Sequence, residues 1–162
     1  MVRPASLEDC TVIQTLAHEI WPKAYASILS PAQLSYMLEA FYTLEALRRQ
    51  MEAGQQFLLL EEDHRAQGFA AYQLEYTPGV TQLHKLYVRT AQHHKGWGSI
   101  LLDAVEQRAL HAGQHTLRLN VNRFNTAQFF YHKKGFQTVE TIDIPIGQGY
   151  WMEDFIMEKK LV

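Results

Sequence analysis

The sequence predicts an α+β domain built around one mixed sheet, and three observations carry that expectation. Helix caps punctuate the first third, three short apolar runs with strand character fill the middle, and one helical stretch separates the third run from a fourth. A crossover through a helix joins its two strands in parallel, so the sheet is expected to be mixed.

The elements follow in order. Residues 2–5 read as a short strand, and Ser6 with Asp9 three residues on marks a helix start: the serine oxygen accepts an orphan N–H and the acid favours the positive end. That helix is expected to run to about Ile20 and to break at Pro22. Ser30-Pro31 reopens a helix through Leu34, Met37 and Leu38, with serine as cap and proline at its first position, and Thr43 caps another that ends near Gly54. The period then shortens. "QQFLLLEE" (55–62), "AQGFAAYQLEY" (66–76) and "TQLHKLYV" (81–88), parted by the turn signals "EDHR" and "TPG", read as three antiparallel strands. After Val88, Ile100, Leu101, Ala104, Val105 and Ala109 share one helical face and Asp103, Gln107 and Arg108 the other. "HTLRLNV" (115–121) is a strand parallel to 81–88, "NTAQFFYHKKG" (125–135) a helix capped by Asn125 and stopped by Gly135, and "FQTVETIDI" and "YWMEDFIMEKK" close the sheet. The expected order is β-α-α-β-β-β-α-β-α-β-β, about seven strands in a mostly antiparallel sheet flanked by helices.

Composition narrows the classes. The 162 residues suit one domain spanning 1–162, able to bury about two thirds of its unfolded surface without disulfides, and no linker or low-complexity stretch divides it. Hydrophobic residues are 47% and charged residues 20%, with no apolar run near the ~20 residues of a membrane span. "MVRPASLEDC" has no basic-then-apolar leader, so the expected compartment is the cytoplasm. Cys10 stands alone, without zinc-type ligand spacing, and is expected to pack as a small hydrophobe; no metal is expected. A net charge of -2 with dispersed basic residues gives no reason to expect nucleic acid.

"HHKGWGSILLDAVEQRAL" (93–110) sets Gly96 and Gly98 at the mouth of a helix that follows a buried strand. Glycine costs about 1 kcal/mol relative to alanine inside a helix. Either the turn is tight, or an anion comes close to the unpaired N–H groups and dipole of the helix N-terminus. The P-loop pattern is absent, and so is the third glycine of the dinucleotide fingerprint.

"LHKLYVRTAQHHKGWGSILLDAVEQRA" followed by "LRLNVNRFNTAQFFYHKKGF" resembles the two core motifs of the GNAT superfamily of acyl-CoA-dependent N-acyltransferases. The first is similar to the [Arg/Gln]-x-x-Gly-x-[Gly/Ala] pyrophosphate loop at 93–98, and the second to the helix that carries Asn, then Tyr, and ends in Gly-Phe. "LSPAQLSYMLEAFYTLEAL" and "IDIPIGQGYWMEDFIMEKK" further resemble the bacterial spermidine/spermine acetyltransferase-like branch. The resemblance implies a parallel central pair that splays apart, with the pantetheine arm of acetyl-CoA in the gap along Leu86, Tyr87 and Val88. It implies a pyrophosphate on the loop from His94 through Lys95, Gly96, Trp97 and Gly98 to Ser99, with Asn120, Asn125 and Gln128 on the cofactor's other side. Tyr131 is then beside the thioester sulfur as general acid. His93 occupies the place where the family carries Arg or Gln, and as an imidazolium it would donate to the diphosphate.

Acetyl transfer to an amine needs a base as well as an acid. Gln82 aligns with a position where some members carry Glu, so His84 on the same strand face, Glu75 at the end of the preceding strand, or a water chain is left for that role. Acceptor selection is expected from Glu19, Trp21, Tyr25, Tyr36, Tyr76, Trp151, Glu153 and Asp154, since aromatic faces and carboxylates suit a polyamine or other small amine. A protein or peptide acceptor, a non-catalytic acyl-CoA-binding module and a homodimer are the other readings.

Overall fold

The structure is a computed structural model that describes residues 1–89 and 96–162. The short strand β1 (Val2–Pro4) leads through a 3₁₀ turn (Leu7–Asp9) into three helices, α1 (Cys10–Ala24), α2 (Pro31–Phe41) and α3 (Leu44–Glu52). Strands β2 (Gln56–Glu62), β3 (Arg65–Thr77) and β4 (Val80–Val88) follow, then α4 (Trp97–His111), β5 (Thr116–Asn122), α5 (Ala127–Lys133), β6 (Gln137–Gly147) and β7 (Tyr150–Lys160). All seven strands form one sheet in the order β1-β2-β3-β4-β5-β7-β6, antiparallel except for β4 with β5.

The caps act as the sequence predicts at two starts: Ser30 Oγ accepts from the Gln33 N–H at 3.1 Å and Thr43 Oγ1 from the Ala46 N–H at 3.1 Å. The three helices read cap by cap all form before β2, one more than the order β-α-α-β allows, because Tyr42 and Thr43 part the second from the third. Two further details differ. Pro22 lies inside α1, two residues before its carboxyl end at Ala24, where its missing N–H removes one hydrogen bond to the turn of His18 while buried Trp21 and Tyr25 on either side hold the turn. The last helix begins at Ala127 with Thr126 as cap, and Asn125 supports it from one residue earlier by accepting from the Ala127 N–H at 2.9 Å.

The sheet is buried on both sides, which explains the unbroken apolar run of β2. Leu58 and Leu60 join Leu101, Leu102 and Val105 of α4 in one core, whereas Phe57 and Leu59 join Ile13, Leu16 and Leu47 of the N-terminal helices in the other. One irregularity in β4 matters for the site. Lys85 pairs with Ala71 and Leu83 with Tyr72, so His84 is an extra residue, a β-bulge that turns Gln82 and Lys85 toward the same side.

Candidate functional site

Strands β4 and β5 pair only from Val80↔Thr116 to Leu83↔Leu119. Beyond Leu83, β4 stays paired with β3 as far as Val88, while β5 follows β7 through Asn122↔Asp154. Among the described residues, the β5-facing backbone edge of 84–88 therefore has no strand partner. A cavity of about 470 Å³ opens at this parting. Gln82, Asn120 and Asp154 give it a polar side; Trp21, Tyr25, Tyr42, Tyr87 and Tyr131 give it aromatic walls.

Tyr131 comes from α5. Its ring lies 5.3 Å from Phe130 and 5.6 Å from Phe136, and burial, with Tyr25 nearby, pushes its phenol well above the ordinary tyrosine value. The hydroxyl thus stays protonated across the physiological range and is a donor. Across the cavity, the Tyr25 and Tyr87 hydroxyls are 2.9 Å apart. His84 reaches the cavity with its Nε2 3.0 Å from Gln73 Oε1 and its ring edge-on to Tyr76; burial, reinforced by Lys85, lowers it to about 4, so the imidazole is neutral at pH 7. Lys85 lies over the rings of Tyr42 and Phe57, 5.6 and 5.7 Å from their centres, and makes no ion pair with a described carboxylate. Burial lowers its ammonium to about 8. Strict two-residue alternation sets Lys85 opposite Gln82; only the bulge brings it here, and no sequence signal marked that bulge.

At the mouth of α4, Gly96 is the cap with φ 71°, a left-handed conformation that favours glycine. Gly98 has no such need. A Cβ there would meet the Phe130 ring at 3.6 Å, ordinary contact, so the protein's own packing leaves this position free for a side chain. The first-turn N–H groups of Gly98 and Ser99 have no helical acceptor ahead of them, which leaves a donor-rich end beside the parted strands. This end and the unpaired β4 edge together fit a long phosphorylated cofactor with an amide-bearing arm. Trp97 contributes its backbone at the mouth, but its indole belongs to the core. His93, His94 and Lys95 lie outside the described residues.

Asn120, Asn125, Leu86 and Tyr87 line the cavity. Val88 and Gln128 do not: Val88 packs against the α4 core, and the Gln128 amide donates to the Arg123 and Asn125 carbonyls at 2.9 and 3.2 Å, which ties down the loop before α5. Glu75 is turned away from the cavity. Its carboxylate accepts from the Gly79 N–H at 2.9 Å and from Gln114 Nε2, bonds that hold its carboxyl below the usual carboxylate range and fasten the β3–β4 turn, so it is no candidate base. Among the acceptor candidates, Trp21, Tyr25, Tyr76, Trp151 and Asp154 line the cavity. Glu19 instead pairs with Arg89 at 2.9 Å, Glu153 pairs with Arg123 at 3.3 Å, and the Tyr36 hydroxyl donates to the Ile146 carbonyl. No three described His, Cys, Asp or Glu side chains stand close enough to hold a metal ion, and no described helix is long and apolar enough to cross a membrane.

Comparison with known proteins agrees with this geometry. The acetyltransferase (GNAT) domain family matches residues 25–159. A spermidine N(1)-acetyltransferase of Thermoplasma acidophilum is 31% identical over 165 aligned positions that cover 98% of this chain and 96% of the relative. The crystal structure of the PaiA N-acetyltransferase from Thermoplasma acidophilum in complex with coenzyme A superimposes with a TM-score of 0.82 at 30% identity, covering 99% of this chain and 98% of that one. A GCN5-related N-acetyltransferase structure from Rhodopseudomonas palustris shares the fold, with a TM-score of 0.83 at 21% identity over 99% of this chain and 94% of that one.

Proposed function

The chain belongs to the GNAT family and is an acetyl-CoA-dependent N-acetyltransferase, and from that premise we propose that it acetylates a small aliphatic amine of the polyamine type, with Tyr131 as the acid. Acetyl-CoA supplies the thioester. The helix-mouth N–H groups of Gly98 and Ser99 bind its diphosphate, and the unpaired edge of β4 at 84–88 orients its arm. The acceptor enters as an ammonium, loses one proton, and forms its new bond from nitrogen to the acetyl carbon as the carbon–sulfur bond breaks. Tyr131 donates its proton to the departing sulfur, and the second proton, shed by the nitrogen as the amide forms, returns to the phenolate, so that ammonium and thioester give amide, free thiol and one released proton. His84, neutral and on the cavity wall, passes the ammonium proton through water toward solvent, its low affinity for protons making it a relay instead of a store.

One observation carries the acceptor class: the cavity at the strand parting joins aromatic faces to a buried carboxylate, Asp154, which no described cation neutralises at ion-pair distance. The naming of a relative as a spermidine N(1)-acetyltransferase supports the same reading. Trp21, Tyr25 and Met37 wall one side, which favours a small acceptor over a peptide. The test is an amine panel with acetyl-CoA, read by free thiol release: spermidine, n-butylamine, an amino sugar and a peptide with a free N-terminus. Turnover of the aliphatic amines above the others is expected. Preference for the peptide, or thiol release that no amine accelerates, overturns the assignment.

A further inference from the structure

Gln82 is buried, 6% exposed, and its side-chain oxygen, itself buried, has no hydrogen-bond partner although the residue is among those that line the cavity. Its amide nitrogen is used: Nε2 donates to Asn120 Oδ1 at 3.1 Å, and Asn120 Nδ2 in turn faces Asp154 Oδ2 at 3.5 Å. Asp154 itself is 3% exposed, and the nearby Arg123 is spent on Asp143, Glu153 and backbone carbonyls. The chain of three has a fixed polarity. Burial raises the Asp154 carboxyl above its ordinary value while the Asn120 bond and Arg123 oppose the rise; in its ionised form the carboxylate only accepts, so it draws the NH₂ of Asn120 toward itself, which turns Asn120 Oδ1 to Gln82, consumes the Gln82 NH₂ and leaves Gln82 Oε1 free. A buried carbonyl oxygen left without a donor is an unmet demand.

We propose that Gln82 Oε1 is the ammonium-binding atom of the acceptor site, taking an N–H of the incoming amine while Asn120 and Asp154 behind it lock the amide orientation and supply the negative charge that selects a cation. The proposal rests on the acetyl-transfer reading for the site's use, but the binding it describes stands alone. A glutamine cannot keep the amine's proton. Its part is to aim the nitrogen, with the carboxylate standing one amide behind it.

The experiment is calorimetric titration of CoA-loaded protein with spermidine and with n-butylamine, for wild type, Gln82→Ala, Gln82→Met, Gln82→Glu, Asp154→Asn and the double variant Gln82→Ala with Asp154→Asn. Gln82→Ala and Gln82→Met should weaken both amines tenfold or more, and Asp154→Asn should weaken them as well because the relay loses its orientation. Gln82→Glu should retain or strengthen binding. The double variant should lose less than the sum of the two single losses, since both changes break one relay and only the through-space attraction of the carboxylate remains to be lost. Affinity for CoA, unchanged throughout, reports that each variant is folded. Amine binding by Gln82→Ala within threefold of wild type, additive losses in the double variant, or absence of amine binding in wild type overturns the proposal. Binding that follows the expected pattern without any acetyl transfer sinks the catalytic reading and leaves this site standing.

Discussion

Burial moves the proton affinity of two side chains in the cavity in opposite directions, and each makes a separate prediction. Burial keeps the Tyr131 phenol protonated, so it donates at any working pH and should set no limb of the pH profile. Tyr131→Phe keeps the ring against Phe130 and Phe136 and removes only the hydroxyl. It should lower kcat by about 10²–10⁴ while acetyl-CoA binding is preserved, as steady-state kinetics and a thermal shift will read. Turnover within a factor of about three of wild type would leave the tyrosine a packing residue. Lys85 is the opposite case, a cation buried against Tyr42 and Phe57 and lowered from 10.5 to about 8. Between those two values the unfolded chain holds a proton that the folded one lacks, so stability rises as pH passes from 8 to 10.5; below 8 the folded protein bears the whole cost, about 3 kcal/mol. Lys85→Met should accordingly melt higher than wild type at pH 7, with the difference closing by pH 10. It should also tighten binding of spermidine more than of n-butylamine, because it removes a like charge from the cavity proposed to receive the second cation. A variant that melts lower at pH 7 would show the ammonium to be a stabilising partner of something.

At the scale of elements, the mouth of α4 separates what the chain needs from what its ligand needs. Gly96 serves the backbone through its positive φ, whereas a Cβ at Gly98 meets only ordinary contact with Phe130. Gly98→Ala should therefore stabilise the free protein, by up to about 1 kcal/mol from helix propensity, and yet reduce the stabilisation given by acetyl-CoA if its diphosphate binds at this face as proposed. A mutant that loses free-protein stability and keeps the full acetyl-CoA shift would assign Gly98 to packing. The contrast shows which parts of the site are legible in sequence. Caps and glycines act within one turn, so Ser30, Thr43 and the Gly96–Gly98 pair can be read locally. Lys85 cannot, because its side depends on a bulge that only the pairing of β3 with β4 reveals. Nor can the Gln82–Asn120–Asp154 relay, which joins residues of three strands through the β4–β5 and β5–β7 registers. Glu75 misleads in the same way: its place at the end of a strand is visible, but its bonds to Gly79 and Gln114 are not.

For the whole molecule, the order of elements was legible because periodicity and punctuation agree along most of the chain, and the parallel pairing of β4 with β5 follows from the helix between them. That pairing also makes a seam. Strands β1 to β4 on one side and β5, β7 and β6 on the other share only the pairs from Val80↔Thr116 to Leu83↔Leu119, with α4 packed over β3 and β4 and the cavity occupying the rest of the boundary. An acetyl-CoA arm in the gap would give the unpaired edge of 84–88 the hydrogen bonds that β5 withholds, so the ligand should act on the seam as well as on global stability. A ligand that binds only the folded state adds about 2.7 kcal/mol at a hundredfold excess over its dissociation constant, which for a chain of 162 residues corresponds to a rise of roughly 5–11 °C in melting temperature. Hydrogen exchange should slow most at residues 84–88 and at the α4 mouth near Gly98 and Ser99, and least in β2 and β3, whose ladder is already complete. If acetyl-CoA at millimolar concentration leaves the melting temperature and the exchange of 84–88 unchanged, the cofactor does not lie along this edge; if exchange slows uniformly, the ligand stabilises the fold without bridging the seam.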